Sequence, residues 1–333
     1  MPIASRQNET LPLTWLSAQR HGYTAAKRLF GLQMFVAGPV ALAGSVWLWL
    51  DPSPKPYLAI WGFAFAVLDL LLIAPALQKM REDSARIQEA FDAYVLGIEW
   101  NPVKIGRRPD PEAVVSLADA YAAVSPDVPG RTVWSVLGKP VSAAIRGASW
   151  VLARFGIAPS KQGLENWYSP AVDRIPERFG RIVCQRENCA YDMCIRRRYA
   201  NTVLACTIIL ALAIVLIPVT KGFDAKTLIL ASLAPAAPLL LLGIRNFREN
   251  RAAGDRSQRI KDALERVWAE ALAGLDEATL AARSRQIQDE IFEHRRSSPL
   301  VFDSVYNAMR NKLERRAAFS VEQMVAEAAK VVG

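Results

Sequence analysis

Four long apolar segments dominate the hydrophobic pattern of the chain. A bilayer core about 30 Å thick is crossed by roughly 20 apolar helical residues, and each segment approaches or reaches that length. A buried helix of a soluble domain normally carries polar residues at every third or fourth position, and these segments do not. The pattern therefore predicts four membrane spans, at residues 32–50, 57–77, 201–218 and 227–244.

The spacing of the spans predicts two hairpins whose turns lie on the same side of the membrane. Short turns over 51–56 and 219–226 join the spans in pairs. Of the 41 lysines and arginines, only three fall in these turns, namely Lys55, Lys221 and Lys226. Because lysine and arginine accumulate in cytoplasmic loops, we expect both termini and the middle of the chain to be cytoplasmic.

The spans divide the chain into five parts and predict an all-α integral membrane protein whose helices extend into a cytoplasmic helical domain. No stretch alternates apolar and polar residues for long enough to indicate a strand. The predicted parts are a cytoplasmic N-terminal segment (1–31), transmembrane hairpin 1 (32–77), a cytoplasmic helical domain (78–200), transmembrane hairpin 2 (201–244) and a cytoplasmic helical tail (245–333).

Helical spacing and the positions of prolines predict how the chain continues outside the membrane. The second span extends as a stalk over 78–98, and a proline-rich loop over 101–111 precedes a short helix over 112–124. A helix that begins after Pro176 is predicted to run without interruption into the third span. The helices predicted for the tail cover 245–274, 275–297 and 300–330.

A basic and aromatic stretch, residues 131–157, lies within the cytoplasmic domain. Residues 128–164 contain no acidic side chain, and basic residues recur there at intervals of seven or eight between aromatic and aliphatic residues. Such a pattern is typical of a helix that lies on a membrane surface. A helix that packs on the stalks with its cations in solvent would show the same pattern, so both interpretations remain open.

The basic character of the chain agrees with a membrane location. Its formal net charge is +9, and a basic residue near an anionic membrane surface contributes roughly 1 kcal/mol of attraction. Together with the cytoplasmic bias of lysine and arginine, this attraction explains the charge. We therefore expect the lipid bilayer as a partner and no nucleic acid polymer.

The cysteines do not indicate a metal site. Cys184, Cys189 and Cys194 are spaced by five residues, so on one helix each is rotated by about 140° from the last. Structural zinc sites usually show gaps of two to four residues, and cytoplasmic cysteines rarely form disulfides. We interpret these cysteines as small packing residues and expect no metal or other cofactor.

Five polar residues before the third span share one helix face. With 100° per residue, Gln185, Asn188, Asp192, Arg196 and Tyr199 fall within a strip about 80° wide. Asp192 and Arg196 are four residues apart, which favours an ion pair. The strip could be a solvated helix face, a buried polar network that joins cytoplasmic helices, or a ligand-binding surface.

Asp69 is the ionisable residue deepest within a predicted span. A lone carboxylate at the centre of a bilayer costs roughly 2.5–3.5 kcal/mol on insertion scales, so its side chain should face other helices or water. It could line a pore or accept a hydrogen bond from a neighbouring helix. Pro39, Pro75, Pro235 and Pro238 are predicted to kink the first, second and fourth spans.

The sequence shows no arrangement typical of an enzyme. It lacks a GxxxxGK[ST] phosphate loop and a GxGxxG dinucleotide motif. The histidines are His21 and His294, and no Ser/His/Asp or HExxH pattern is visible around them. We therefore predict that the protein is not an enzyme.

Four blocks of the sequence resemble a known family, the SMODS-associated four-transmembrane effectors. They are SAQRHGYTAAK (17–27), NWYSPAVDRIP (166–176), CQRENCAYDMCIRRRY (184–199) and IQDEIFEHRRSSPLVFDSVYNAMRNKLE (287–314). The third block is the most specific, and Tyr191 departs conservatively from the tryptophan more common there. The resemblance adds Trp167, Tyr168, Tyr306 and Arg310 as residues of secondary family motifs.

The resemblance implies a bacterial anti-phage effector in the inner membrane, with two hairpins and both termini cytoplasmic. In such a system, a cyclic oligonucleotide is made after infection and binds the effector. The effector, as a homo-oligomer, would then permeabilise the membrane, and the infected cell would die or stop growing. Arginines suit the phosphates of such a messenger, which makes Arg186, Arg196, Arg197 and Arg198 candidates for binding or gating beside the polar strip. The alternative is a membrane-anchored helical scaffold without pore activity.

Overall fold

A computed structural model describes residues 2–40, 43, 44, 47, 55–124, 163–220, 222 and 224–332. Within these residues the chain is helical and has no strand, which confirms the all-helical prediction. The basic stretch 131–157 lies outside the described residues.

Ten α-helices of the described part are numbered in chain order. They are α1 (Ile3–Gln7), α2 (Thr10–Phe35), α3 (Lys55–Leu68), α4 (Ala74–Val95), α5 (Pro102–Ile105), α6 (Pro111–Val124), α7 (Glu177–Thr220), α8 (Ala234–Leu272), α9 (Glu277–Ser297) and α10 (Asp303–Val332). A short 3₁₀ helix covers Pro170–Arg174, and a helical turn covers Ala225–Thr227.

Two helical stretches are long and apolar enough to cross a membrane, Ile60–Val95 and Glu177–Thr220. Only 6% of the most apolar 18-residue window in each is buried within the protein. Tyr57 and Phe63 are both 73% exposed, and so large an apolar surface normally marks a contact with lipid or protein. These stretches contain the predicted second and third spans, whereas the arrangement of four spans stays a prediction.

Helices pass through the predicted domain boundaries without a break. The third span belongs to α7, which contains 44 residues and begins directly after Pro176, as predicted. In the same way, α8 continues from the fourth predicted span into the predicted tail. The polar and the apolar parts of α7 and of α8 therefore belong to one continuous helix each.

Three π-helical turns interrupt the predicted spans near prolines. They are Val36–Val40, Asp69–Ile73 and Leu228–Leu233, and each contains a proline or ends within two residues of one. A proline removes one backbone donor and displaces the carbonyl four residues before it, and a widened turn accommodates this change. The Asp69 carboxylate at the second turn accepts a 2.6 Å hydrogen bond from Gln33 on the neighbouring helix.

The helices outside the predicted spans pack as a bundle around one main apolar core. Helix α7 packs along α8 and α10, while α2 packs against α4 and α6. Phe91, Ile182, Leu264 and Leu280 are almost completely buried in this core. Gly22 allows the close approach of α2 and α4, since a Cβ atom there would lie 2.3 Å from the Ser84 hydroxyl.

Two boundaries differ from the prediction. The loop 101–111 contains helix α5, which forms because the Asn101 side chain caps the amides of Val103 and Lys104. The last helix begins at Asp303 rather than at residue 300. The segment before it is not helical because the Pro299 carbonyl accepts a hydrogen bond from Arg196 and the Leu300 side chain is buried.

Candidate ligand-binding cavity

A cavity of about 260 Å³ with both polar and apolar lining residues lies within the helical bundle. Its walls come from α2, α4, α6, α7, α8, α9 and the segment 298–303, together with Trp167. Pockets for drug-sized ligands occupy roughly 300–1,000 Å³, and one water takes about 30 Å³. The cavity is thus far larger than a hydration site and is close to the size of the smallest ligand pockets.

All four sequence blocks that carry the family resemblance meet at this cavity. Block 17–27 forms the wall on α2, block 166–176 contributes Trp167, block 184–199 forms the wall on α7, and block 287–314 forms the wall on α9 and the segment after it. Residues far apart in sequence are therefore brought together around one polar space.

Asp192 is the centre of the hydrogen bonds on the α7 wall. Its carboxylate accepts from Arg196 Nε at 2.8 and 2.9 Å and from Ser257 Oγ at 2.7 Å, and it lies 2.7 Å from His294 Nε2. Burial alone would raise the pKa of Asp192, but Arg196 and the hydrogen bonds from His294 and Ser257 hold it well below its usual range. The carboxylate is therefore ionised and ties α7 to α8 and α9.

A carboxylate, a histidine and a serine meet at the cavity, which are the residue types of a catalytic triad. They are Asp192, His294 and Ser257, and the sequence pattern did not indicate this grouping. In a triad, the acid and the serine contact opposite nitrogens of the histidine. Here Asp192 and Ser257 both contact Nε2, at 2.7 and 3.0 Å. The group therefore does not have the geometry that activates a serine.

Arg196 holds the segment that closes the cavity. Its Nη1 atom donates to the Pro299 carbonyl at 2.9 Å and to Asn250 Oδ1 at 3.4 Å. At the same edge, the Lys27 side chain on α2 forms an ion pair with Asp303, the first residue of α10. Two cations thus fasten the segment between α9 and α10 over the polar space.

A second buried network lies behind the cavity and joins α4, α7 and α9. Asp92 accepts from the Tyr168 hydroxyl at 2.7 Å and from Arg295 Nη1 at 2.5 Å. Gln288 donates to Glu89 at 2.7 Å and accepts from Gln185 at 2.9 Å. Because Arg295 also lines the cavity, it connects the two networks.

The N-terminal helix α1 fixes Trp167 and Tyr168. Gln7 exchanges two hydrogen bonds with the backbone of Tyr168, at 2.8 and 3.0 Å, and Asn8 exchanges two with Asn166. Asn166 has a φ of 53°, a left-handed conformation that asparagine tolerates better than most residues. The Trp167 ring is thereby held at the cavity, with the Arg20 guanidinium 5.6 Å from its centroid.

The cavity lining is rich in hydrogen-bond donors and partly aromatic. Four cationic side chains line it, those of Arg20, Lys27, Arg196 and Arg295. Three of them are paired with carboxylates: Lys27 with Asp303, Arg196 with Asp192 and Arg295 with Asp92. Tyr23 also lines the cavity, and burial, more than any neighbouring charge, raises the pKa of its hydroxyl to about 12. Tyr23 therefore stays a neutral hydrogen-bonding group at physiological pH, and the guanidinium groups suit a ligand that carries acceptors.

The predicted site residues divide between the cavity and its surroundings. Asn188, Asp192 and Arg196 line the cavity, as does Trp167 from the secondary motifs. Gln185 and Tyr168 belong to the buried network behind it. Six other predicted residues do not line the cavity: Arg186, Arg197, Arg198, Tyr199, Arg310 and Asp69. The Tyr306 side chain lies outside the described part of the structure.

Several predicted arginines have structural partners away from the cavity. Arg186 pairs with Glu265 on α8 and donates to Ser320 on α10. Arg197 pairs with Asp255 at 3.0 Å, and Arg198 is exposed. Three of the four arginines proposed for messenger phosphates therefore do not face the cavity, since a helix directs consecutive side chains about 100° apart.

The sequence prediction missed the α2 wall and the end of α9. Gln19, Tyr23 and Lys27 all line the cavity, and their spacing of four residues places them on one helix face. This four-residue spacing, within a block that carries part of the family resemblance, could have indicated that α2 contributes to the site. His294 and Arg295 could not be assigned in this way because their partners on α7 and α4 are about 100 and 200 residues away.

A buried glutamate outside the cavity makes stability depend on pH. Glu187 lies between α7 and α10 in an apolar space of about 70 Å³, and burial raises its pKa to about 7 from 4.5. Between these values the folded protein binds more protons than the unfolded chain, so stability falls as pH rises through this window. We expect a loss of up to about 1.4 kcal/mol per pH unit.

Thermal unfolding of the detergent-solubilised protein between pH 5 and 8 measures this effect. The isosteric variant Glu187→Gln is expected to unfold with a shallower dependence on pH than the wild type. Equal slopes for the two proteins would show that Glu187 does not titrate in this range.

Comparison with known proteins agrees with the arrangement of the four blocks. A family model described as the SMODS-associating 4TM effector domain matches residues 1–145 and 151–324. The chain belongs to this effector family. The match extends over almost the whole sequence, so it includes every wall of the cavity as well as the apolar helices, and it confirms the resemblance.

A curated relative points in the same direction as the effector family. It is a probable CBASS effector molecule of Bacillus cereus (strain VD146), 20% identical over 304 residues, which is 88% of this chain and 88% of the relative. No solved structure matches the chain significantly. The family and this relative support an anti-phage effector role with membrane association.

Proposed function

We propose that the protein permeabilises the bacterial inner membrane when a cyclic oligonucleotide binds its cytoplasmic bundle. One observation carries this proposal: the cavity and an apolar helix share α7. Asn188, Asp192 and Arg196 line the cavity, and the same helix continues through residues 201–218. Arg196 lies five positions before the start of that apolar part, which is about 8 Å of helix.

The chemistry of the cavity suits a messenger that carries phosphates. Its lining contains more cations than carboxylates and includes the aromatic ring of Trp167. Arginine forms strong charge-assisted hydrogen bonds with phosphate, and aromatic side chains stack on nucleobases. The similarity to a probable CBASS effector molecule supports the same class of messenger.

Permeabilisation is proposed for an oligomer with two hairpins per chain and both termini in the cytoplasm. The exposed apolar side chains of α3 and of the second half of α7 support contact with lipid or with another copy. Because a ligand shifts a conformational equilibrium only through different affinities for the two states, the messenger must bind the permeabilising state more tightly. We propose no catalytic reaction for this chain, since Ser257 is not placed for activation by His294.

Leakage from liposomes tests this proposal. The purified full chain is reconstituted with an encapsulated dye, and cyclic di- and trinucleotides of adenosine, guanosine and uridine are added outside and inside the vesicles. We expect at least one of them to release the dye, in proportion to protein density. Binding of a cyclic nucleotide without dye release would instead favour a membrane-anchored scaffold.

A further inference from the structure

Two buried polar atoms at the cavity have no hydrogen-bond partner among the described residues. They are Oε1 of Gln19, a residue that is 3% exposed, and Nη2 of Arg295, whose side chain is 9% exposed. Buried polar atoms in proteins are nearly always paired, and an unpaired one costs about 1–3 kcal/mol. One of these atoms is an acceptor and the other is a donor, and both belong to residues that line the same space.

Both groups are shielded from solvent without being satisfied. Arg295 is fixed through Nη1, which donates to Asp92 at 2.5 Å, while Nη2 has no acceptor among the described residues. Gln19 lies one helical turn before Gly22, where α2 is in close contact with Ser84 of α4. Groups fixed before binding lose little conformational entropy when a ligand arrives. Such an arrangement is typical of a binding site rather than of a packing defect.

We propose that the cavity binds one nucleotide unit of the cyclic oligonucleotide, with an N–H of the base donating to Gln19 Oε1 and a phosphate oxygen accepting from Arg295 Nη2. This inference rests on the proposed function and deepens it. Each of the common bases carries an N–H donor, and each unit carries an anionic phosphate, so one nucleotide supplies both missing partners.

The size of the cavity limits the bound part to one unit. At about 260 Å³ it is smaller than the roughly 300 Å³ at which pockets for drug-sized ligands begin, and a cyclic oligonucleotide contains at least two nucleotides. The other units therefore stay outside the cavity. The segment 298–303 borders it, held by Arg196 and Lys27. Because both unpaired atoms are shielded in this structure, contact of the nucleotide with them requires the surrounding side chains to move.

The substitution Gln19→Met separates a ligand contact from a structural role. Methionine has a similar length and no orphaned acceptor, so the free protein should be as stable as the wild type or more stable. Affinity for the cyclic nucleotide that binds the wild type is expected to fall about tenfold, which corresponds to 1.4 kcal/mol.

Gln258→Met is the control, since Gln258 is a half-buried glutamine outside the cavity lining whose amide donates to Asp262 at 2.6 Å. It should leave the affinity for the cyclic nucleotide unchanged. Gln19→Leu serves as a second variant if Gln19→Met does not fold.

Thermal shift and calorimetric titration of the detergent-solubilised full chain with cyclic di- and trinucleotides provide both readouts. Equal affinities of wild type and Gln19→Met, or a large loss of stability in Gln19→Met without ligand, would overturn the assignment of the site. If the wild type binds no cyclic oligonucleotide at all, the proposed function fails and the site with it. If the messenger releases dye but binds wild type and Gln19→Met with the same affinity, the proposed binding site is wrong while the proposed function stands.

Discussion

Replacing Arg196 by methionine is expected to lower the free energy of unfolding by about 2–3 kcal/mol. The substitution leaves the half-buried Asp192 carboxylate without its main countercharge, and a hydrogen bond to a charged group contributes about 1.5–3 kcal/mol. The Pro299 carbonyl also loses its 2.9 Å hydrogen bond, so the segment between α9 and α10 loosens over the cavity. Urea or thermal unfolding in detergent micelles measures the loss.

Two further variants determine whether the loss comes from an unpaired charge. Arg186→Met removes an ion pair on the same helix whose partner Glu265 is 43% exposed, and exposed pairs contribute only about 0–1 kcal/mol. The double variant Asp192→Leu/Arg196→Met removes both charges and should be more stable than Arg196→Met alone. A loss below about 1 kcal/mol for Arg196→Met would contradict the buried network.

A proline at position 201 is expected to abolish messenger-dependent leakage while preserving binding. Asn201 is exposed on α7 between the cavity and the apolar part of the helix. Proline inside a helix removes a hydrogen bond, kinks the axis and costs about 3 kcal/mol or more. The kink would separate the movement of the cavity wall from that of the predicted third span.

Asn201→Ala controls for loss of the side chain, because alanine keeps the helix straight. We expect this variant to leak and bind as the wild type does. For Asn201→Pro, affinity measured by calorimetry should stay within about threefold of the wild type, with dye release at least a hundredfold less sensitive to the messenger. Normal leakage from a folded Asn201→Pro protein would exclude α7 as the connection.

The long helices were predictable because local signals determine them. Pro176 allows a helix to begin, and no further proline follows before Pro218, so α7 could be outlined from the sequence alone. The bounds of α6 and α9 also follow from prolines and helical spacing. The start of α10 could not be predicted in this way. The Pro299 carbonyl accepts a hydrogen bond from Arg196, and the three residues before Asp303 are not helical.

The polar strip on α7 was predictable as a face but not in its contacts. Helical geometry places Gln185, Asp192 and Arg196 on one side, and the structure shows that they join a buried polar network rather than a solvated surface. At successive heights this face meets different helices: Gln185 contacts α9, whereas Arg196 reaches α8 and Pro299. The angular positions of side chains around a single helix do not show which neighbouring helix each side chain contacts.

The cavity itself could not be derived from spacing because it needs three-dimensional packing of four distant blocks. The α2 wall shows this limit: Gln19, Tyr23 and Lys27 recur at four-residue intervals, yet polar residues at that spacing usually face solvent. Only the packing of α2 against α4 turns them inward. Whether a buried glutamine is satisfied, as Gln7 is, or orphaned, as Gln19 is, depends on atomic contacts that no sequence pattern encodes.

The most direct test of the central claim is the dose response of leakage for wild type and Gln19→Met in the same liposomes. If a nucleotide in the cavity drives permeabilisation, the cyclic oligonucleotide concentration for half-maximal dye release should rise about tenfold in Gln19→Met, with the same maximal release. Identical dose responses of the two proteins would contradict the claim that this cavity receives the messenger.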